Sequence, residues 1–192
     1  MISYLKLPLE LKIMPFANEK KMYLAKQDKS KKGDIDEKVI PLLKTINATE
    51  NYYTTSSCSG RVYLWTGTGK KNETQWIKVS HDVIDESFFD FQSPSGLVWL
   101  RVEAFILHVA CQDMKAANLL LETAHKIYKK SCILSASNKI IVEIRGSELV
   151  EMPLYKDEKL VYCGELNWLV QLVNEKLQKM WEGMEKFRQK MI

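Results

Sequence analysis

The sequence lacks the segments that place a protein in or across a membrane. No stretch approaches the roughly 18 consecutive apolar residues that a membrane helix needs. The first residues contain no short apolar run followed by a small-residue cleavage site, so a secretory signal is not predicted. We therefore expect a cytoplasmic protein that acts without a membrane partner.

Cysteine is sparse and scattered along the chain. The four cysteines lie far apart and form no C-x-x-C pair; they are Cys58, Cys111, Cys132 and Cys163. Closely spaced cysteines are the usual signature of zinc sites and of small disulfide frameworks. The sequence therefore predicts neither a metal site nor a disulfide-stabilised fold.

Three glycine motifs of common enzyme classes are also missing. No G-x-G-x-G turn follows a first strand, and regular βαβ alternation is absent, which excludes a Rossmann methyltransferase. No G-x-S-x-G elbow is present, which argues against an α/β-hydrolase. The segment 66–72 contains two glycines and two lysines but not the spacing of a phosphate-binding loop, so it predicts a hairpin turn.

Positive charge is in modest excess, with a net charge of +4, and it is unevenly distributed. Six lysines and a single acid, Asp28, lie between Lys20 and Lys32, and smaller lysine groups lie at 70–71 and 126–130. Such patches can neutralise phosphates, although a solvated helix face is an equally ordinary explanation.

A run of hydroxyl and thiol side chains sets residues 52–65 apart from the rest of the chain. Thr54 to Ser59 are six such residues in succession, and Gly60-Arg61 follow. Tyr, Thr and Val favour strands and Gly60 can adopt a positive φ, so the run predicts a two-stranded hairpin. The ordinary alternative is a solvated Ser/Thr edge. The predicted tip carries Ser56, Ser57, Cys58, Ser59 and Arg61.

The length of 192 residues predicts one domain, 1–192, in which residues 1–15 form an N-terminal edge strand. A helix is predicted over 17–28, with Met22, Leu24 and Ala25 buried. Asp34 and Glu37 form a capping box, which predicts a helix start that places Asp36 in the first turn. A long C-terminal helix is predicted over 165–189. Its apolar stripe is Leu166, Val170, Val173, Leu177, Met180, Met184 and Phe187.

Two parts of the chain repeat one pattern at an offset of 78 residues. Leu42–Thr45 aligns with Leu120–Thr123, and Ser57–Val62 aligns with Ser135–Ile140, without a gap. Each copy contains a helix followed by three strands, which indicates a duplicated unit. Because strands with short connections pair antiparallel, we expect an α+β fold with a largely antiparallel or barrel-like sheet and flanking helices.

Four segments together match the motifs of one enzyme family. The signature (S/T)-x-S-S-C-x-G-R is matched in full by Thr54–Arg61, and D-x-S-x-K-G-x-[IV]-D is matched at 28–36. A Trp-x-x-x-x-His segment lies at Trp76–His81, and E-P-F-[IV]-L-H-V-x-C lies at 103–111, with Ala104 in place of proline. Over residues 16–185 the chain thus resembles the archaeal form of the wybutosine-synthesizing protein 3 family.

The resemblance implies a tRNA methyltransferase that uses S-adenosylmethionine. Its expected substrate is tRNA(Phe) with a tricyclic demethylwyosine-type base next to the anticodon, methylated on a ring nitrogen. The family fold is a distinct α/β arrangement rather than a Rossmann fold, which agrees with the missing glycine turn. We expect no metal in the reaction.

The resemblance also assigns catalytic roles to Asp36, His81 and His108. Methyl transfer to nitrogen needs alignment of the reacting atoms and a group that accepts the N–H proton. Either histidine can accept that proton, and the sequence does not choose between them. Without the family match, Asp36 would be a helix-end carboxylate and each histidine an ordinary strand residue.

The hydroxyl-rich signature supplies the expected cofactor site. Ser56, Ser57 and Cys58 offer small donors and acceptors for the ribose or the amino-acid end of the cofactor. Arg61 can pair with a carboxylate in bidentate fashion. Both the methionine end of the cofactor and the amino-carboxypropyl arm of the substrate carry a carboxylate, and both remain open as its partner.

Two other classes of function fit parts of the sequence. A tRNA-binding module would use the lysine patches and Trp65, Trp76 or Trp99 for stacking, without saturable cofactor binding. A hydrolase would use Ser57, His81 and Asp36 and would cleave a chromogenic ester.

Overall fold

The computed structural model describes residues 15–25, 35–68, 70, 73–92 and 94–192, which form two antiparallel sheets and the helices that cover them. Two short 3₁₀ helices lie at Glu37–Val39 and Glu86–Phe89. The α-helices are α1 (Phe16–Leu24), α2 (Ile40–Ala48), α3 (Met114–His125) and α4 (Leu166–Lys190). The strands are β1 (Tyr52–Cys58), β2 (Arg61–Thr66), β3 (Gln75–Ser80), β4 (Leu97–Glu103), β5 (Ile106–Cys111), β6 (Cys132–Ser135), β7 (Ile140–Arg145), β8 (Val150–Lys156) and β9 (Lys159–Leu160).

The strands divide into two sheets. The first sheet has the order β1-β5-β7-β6 and the second has the order β3-β2-β4-β8-β9. Every strand pair is antiparallel. The predicted α+β class with antiparallel pairing and no Rossmann sheet is therefore confirmed, but the strands form two sheets where one was expected.

The predicted hairpin over 52–65 is wrong, because β1 and β2 belong to different sheets. β1 pairs with β5, whereas β2 pairs with β3 and β4. The chain passes from the first sheet to the second at residues 59–60, which we call the crossing. Gly60 adopts φ +93° there, and a Cβ at this residue would lie 2.5 Å from Met180 Sδ and 3.2 Å from the Glu103 carbonyl oxygen. Glycine is thus required for both its conformation and its lack of a side chain. The turn leads the chain out of one sheet and into the other.

Helix α4 covers the inner faces of both sheets. Its residues Leu169 to Met180 pack with the core of the second sheet, and Met184 and Phe187 pack with the core of the first. Six of the seven predicted stripe residues are buried, and Leu166 is half-buried. Each fully buried side chain of this size contributes about 1.5–3 kcal/mol. The outer faces of the sheets, away from α4, are left for the site.

Helix α1 contacts the first sheet through a face that the sequence pattern did not indicate. Met22, Leu24 and Ala25 are exposed, contrary to prediction, while the rings of Phe16 and Tyr23 lie 5.4 and 5.1 Å from that of Tyr53. The helix also ends at Leu24. Residues 1–14 of the predicted N-terminal strand, the rest of the helix predicted to residue 28, and the Asp34 cap lie outside the described residues.

The order of elements repeats along the chain, but the pairing of the strands does not. β6 and β7 pair with each other, whereas the corresponding strands β1 and β2 do not. The duplication remains a prediction. Within the described residues, no helix combines the length and the apolarity needed to cross a membrane.

Candidate active site

A bulge in β1 decides which side chains of the hydroxyl run face outward. The register with β5 shifts between Thr54 and Ser56, so Ser56 lies opposite His108 and Cys58 opposite Ile106. Ser57 lies opposite Leu107, which belongs to the core. Because neighbours on paired strands share a face, Ser56 and Cys58 point away from the core and Ser57 points toward it.

Three residues in register form a hydrogen-bonded row across the outer face of the first sheet. Ser56 Oγ lies 2.9 Å from His108 Nδ1, and His108 Nε2 lies 3.0 Å from Glu143 Oε2. Ser56, His108 and Glu143 are direct neighbours on β1, β5 and β7. Because an ionised carboxylate only accepts hydrogen bonds, the neutral imidazole would carry its proton on Nε2, which leaves Nδ1 to accept from the Ser56 hydroxyl.

Asp36 takes a different place from the predicted one. It precedes the 3₁₀ helix Glu37–Val39 instead of lying in a helical first turn, and its side chain caps no helix. Its Oδ2 accepts hydrogen bonds from Ser59 N at 3.0 Å and Ser59 Oγ at 3.3 Å, and His81 Nδ1 lies 3.0 Å away. The Asp36 side chain is only 7% exposed and that of His81 18%. The carboxylate therefore fixes the Gly60 crossing and orients His81 at once.

Cys58 lies beside this pair. Its Sγ is 3.9 Å from His81 Nδ1, and burial raises the pKa of the thiol despite the nearby Arg61 charge and a backbone hydrogen bond at Gly60. The Cys58, His81 and Asp36 ligand atoms all lie within 4.8 Å of one another, close enough to share a metal ion. Sequence spacing gave no hint of this set, since a strand, a turn and a helix start supply one ligand each.

A cavity of about 220 Å³ opens next to Asp36 and His81. It lies between the start of the 3₁₀ helix and the end of β3, and its lining is mostly polar or charged. A ligand group in this cavity would contact both members of the Asp36–His81 pair. The lining residues are Ile35, Asp36, Glu37, Lys38, Ser59, His81 and Asp82.

Arg61 starts β2 and already holds an internal carboxylate. Its Nε and Nη2 donate to Glu103 Oε2 at 2.9 and 2.7 Å, and Tyr63 Oη donates to Oε1 at 2.7 Å. Although burial raises the pKa of Glu103, the hydrogen bonds from Tyr63 and Arg61 outweigh it and hold that pKa below its usual value. The guanidinium carbon also lies 4.4 Å from the centroid of the half-exposed Trp76 ring.

The structure brings most of the predicted site residues together. Asp36, Cys58 and His81 are in contact at the crossing, Ser56 contacts His108, and Arg61 begins the strand that follows the crossing. The hydrolase arrangement of Ser57, His81 and Asp36 gains no support, because the hydroxyl bonded to Asp36 belongs to Ser59 and Ser57 faces the core. Of the lysine run at 20–32, only Lys20 and Lys21 lie within the described residues.

Sequence reasoning missed three polar residues of this region. Ser59 binds the Asp36 carboxylate, Glu103 binds Arg61, and Glu143 binds His108. Ser59 and Glu103 both lie inside family motifs that the sequence matches. Pairing Glu103 with Arg61 by charge, and the Ser59 hydroxyl with the Asp36 carboxylate, would have indicated both contacts. Glu143 lies in none of those motifs and becomes visible only through the register of β5 and β7.

What this arrangement can do chemically follows from the two imidazoles. Each has one nitrogen bonded to a carboxylate that would stabilise the protonated ring, which is the usual way to position a proton acceptor. Ser56 lies next to His108, Cys58 and Ser59 lie next to the Asp36–His81 pair, and Arg61 starts the strand that follows. The group is suited to binding a polar ligand and removing a proton from it.

Comparison with known proteins identifies the family. The model of the family described as "Methyltransferase TYW3" matches residues 18–192. The tRNA(Phe) 7-((3-amino-3-carboxypropyl)-4-demethylwyosine(37)-N(4))-methyltransferase of Methanocaldococcus jannaschii is 36% identical over 176 residues, covering 86% of this chain and 91% of that protein. A tRNA wybutosine-synthesizing protein 3 homolog of Xenopus laevis is 34% identical over 174 residues, covering 85% and 69%.

A solved structure shows the same fold. The PH1069 protein of Pyrococcus horikoshii superposes with a TM-score of 0.83 at 33% identity, covering 93% of this chain and 99% of that chain. The family indicated by the signature at 54–61 is thereby confirmed, and with it the enzyme class. The chain belongs to the methyltransferase TYW3 family.

Proposed function

We propose that this chain transfers a methyl group from S-adenosylmethionine to a ring nitrogen of a demethylwyosine-type base in tRNA(Phe), in the cytoplasm. The relative from Methanocaldococcus jannaschii is named as a methyltransferase for N(4) of such a base in tRNA(Phe). The observation that carries the proposal is the Asp36–His81 pair, which lies at the crossing that the family signature forms. An oriented imidazole at this point supplies the proton acceptor that the reaction requires.

His81 is the direct acceptor in this proposal. Its Nδ1–H donates to Asp36, so Nε2 is the basic nitrogen of the neutral ring. Asp36 holds the ring in place and stabilises the imidazolium that forms when His81 takes up the proton. The largely buried position of both side chains strengthens this electrostatic effect, because screening by water is reduced.

The signature residues fit the proposed cofactor, which when bound supplies a methyl group on a positively charged sulfur. Ser56 and Cys58 lie on the outer face, and Arg61 adds a guanidinium next to Trp76. No hydrogen bond from Arg61 Nη1 is seen among the described residues, so this nitrogen can bind a ligand carboxylate. Ser57 belongs to the same proposed set, although its side chain lies on the opposite face of β1.

Calorimetry with S-adenosylmethionine tests the cofactor assignment. We expect Ser56→Ala and Arg61→Ala to weaken binding about 10-fold, the usual scale of one or two lost hydrogen bonds. The matched pair Ser56→Ala and Ser57→Ala then shows which face of β1 contacts the cofactor. Unchanged affinity in all three variants would place the cofactor elsewhere on the protein.

Single-turnover methylation tests the function itself. The purified protein is mixed with labelled S-adenosylmethionine and tRNA(Phe) that carries the demethyl base, and the methylated nucleoside is measured. tRNA(Phe) with an unmodified guanosine at the same position is the control substrate. Equal labelling of both tRNAs, or of neither, would contradict the proposed substrate.

A further inference from the structure

Glu143 forms the less exposed end of a hydrogen-bonded row whose other end is open to solvent. Its side chain is 15% exposed and binds His108 Nε2, while the Ser56 hydroxyl at the other end faces solvent. The three residues occupy directly paired positions on β1, β5 and β7, so the backbone fixes their spacing. Nothing in the proposed reaction requires Glu143 so far.

We propose that Glu143 is a positioning residue for His108, and that His108 in turn holds the Ser56 hydroxyl so that its oxygen accepts a hydrogen bond from the bound ligand. This inference rests on the proposed function. No covalent bond changes in this row: the N–H proton of the base passes to His81, and Ser56 and His108 orient the ligand for that transfer.

The direction of the hydrogen bonds supports this assignment. Glu143 accepts from His108 Nε2, which leaves Nδ1 as an acceptor for the Ser56 hydroxyl proton. Because the one hydroxyl proton of Ser56 points at His108 Nδ1, Ser56 Oγ can only accept a hydrogen bond from a ligand. The row is therefore selective for a ligand group that donates a hydrogen bond.

The tautomers of the histidines provide a test without activity. The chain has three histidines, and the third, His125, has Nε2 2.9 Å from the Ser131 carbonyl oxygen, which only accepts. Nitrogen-15 NMR of the histidine rings should show the proton on Nε2 in His108 and His125, and on Nδ1 in His81. In Glu143→Ala the His108 signals should change while those of His125 remain, which also reports that the variant is folded.

Kinetics test the positioning role. We expect Ser56→Ala to lower single-turnover methyl transfer at saturating S-adenosylmethionine about 100-fold, the scale of a misplaced substrate, and Glu143→Gln to lower it about 10-fold. Glu143→Asp keeps the charge and should restore part of the rate. Glu151→Gln, which changes a carboxylate on β8 paired with Arg101, is the control and should match wild type.

The outcomes separate this inference from the proposed function. A His108 ring with its proton on Nδ1, or a Glu143→Gln variant whose rate equals that of Glu151→Gln, would overturn the role of Glu143. Ser56→Ala with the wild-type rate would overturn the role of Ser56. If the wild-type protein transferred no methyl group, the proposed function and the role of Ser56 would both fall, while the NMR measurement would still decide whether Glu143 orients His108.

Discussion

Among the described residues there are two histidine–carboxylate pairs, Asp36–His81 and Glu143–His108, and each carboxylate contacts a different nitrogen of its histidine ring. Asp36 binds Nδ1 of His81, so the basic nitrogen is Nε2. Glu143 binds Nε2 of His108, so the basic nitrogen is Nδ1, which is bonded to Ser56. The same two residue types therefore give one histidine suited to direct proton transfer and one that works through a hydroxyl.

The pairs also differ in what holds them. Glu143 and His108 are partners in adjacent strands, so the sheet fixes their distance. Asp36 lies just before a 3₁₀ helix and His81 just after β3. Both line one cavity, and their alignment depends on Ser59. We therefore expect the Asp36–His81 pair to be the more sensitive to substitution.

The largest effect should come from removing the histidines one at a time. His81→Ala should lower single-turnover methyl transfer about 1,000-fold, within the range of acid–base catalysis. His108→Ala should lower it about 100-fold, the scale of lost positioning. His125→Ala is the matched control and should remain within about twofold of wild type, because catalysis does not involve it. A larger loss in His108→Ala than in His81→Ala would reverse the two roles.

Next in size is the loss of the Asp36 charge. Asp36→Asn should lower methyl transfer about 100-fold, because the imidazolium of His81 loses its counterion. It should also lower the free energy of unfolding by about 1–3 kcal/mol, the cost of weakening charged hydrogen bonds in a nearly buried group. An exposed helix-end carboxylate would cost less than about 1 kcal/mol, so chemical denaturation distinguishes the two positions.

Asp82→Asn is the control for this substitution. Asp82 also lines the cavity and forms an ion pair with Lys38, but its side chain is 72% exposed. Exposed ion pairs contribute about 0–1 kcal/mol, so Asp82→Asn should change stability little and leave the rate near that of wild type. If Asp36→Asn methylates as fast as Asp82→Asn, Asp36 is a structural residue and the proposed role of the first pair is wrong.

The contrast between the pairs shows what the sequence could and could not predict. The apolar stripe of α4 was correctly predicted. One face of this helix packs against both cores, so its buried residues recur at helical spacing along the sequence. The partner of β1 was not, because β5 lies about fifty residues further along and no local signal specifies it. The bulge at Thr55 decides that Ser56 faces outward and Ser57 inward, and nothing in a run of six similar residues indicates its place.

The position of Asp36 was mispredicted for an identifiable reason. Asp34 and Glu37 have the spacing of a capping box, but Pro41 also marks a helix start, since it lacks an N–H and fits the first turn. Helix α2 begins at Ile40, and a 3₁₀ turn fills 37–39. Asp36 is thereby left outside the helix, where its carboxylate can bind Ser59 and His81.

A smaller effect should separate the pairs by their response to metal. Cys58 lies within ligand distance of the Asp36–His81 pair, whereas the Glu143–His108 pair belongs to no such group among the described residues. Aspartate, cysteine and histidine are ordinary zinc ligands. We expect micromolar Zn²⁺ to reduce methyl transfer about 10-fold and Cys58→Ser to abolish that sensitivity. Equal inhibition of wild type and Cys58→Ser would show that zinc acts elsewhere.

The smallest effect concerns the protonation of Cys58. Burial raises the pKa of this thiol, so near pH 7.5 it should be neutral and react with iodoacetamide at least 10-fold more slowly than the exposed Cys163. Its rate of alkylation should rise with pH as the thiolate forms, and mass spectrometry of peptides measures each cysteine separately. The alkylation rate of Cys58 also reports the protonation of His81, whose Nδ1 lies 3.9 Å from the thiol. A neutral thiol leaves Asp36 as the partner of the ring, whereas rapid alkylation of Cys58 at pH 7.5 would indicate a thiolate paired with an imidazolium. His81 would then already carry its proton, and His108 alone could accept another.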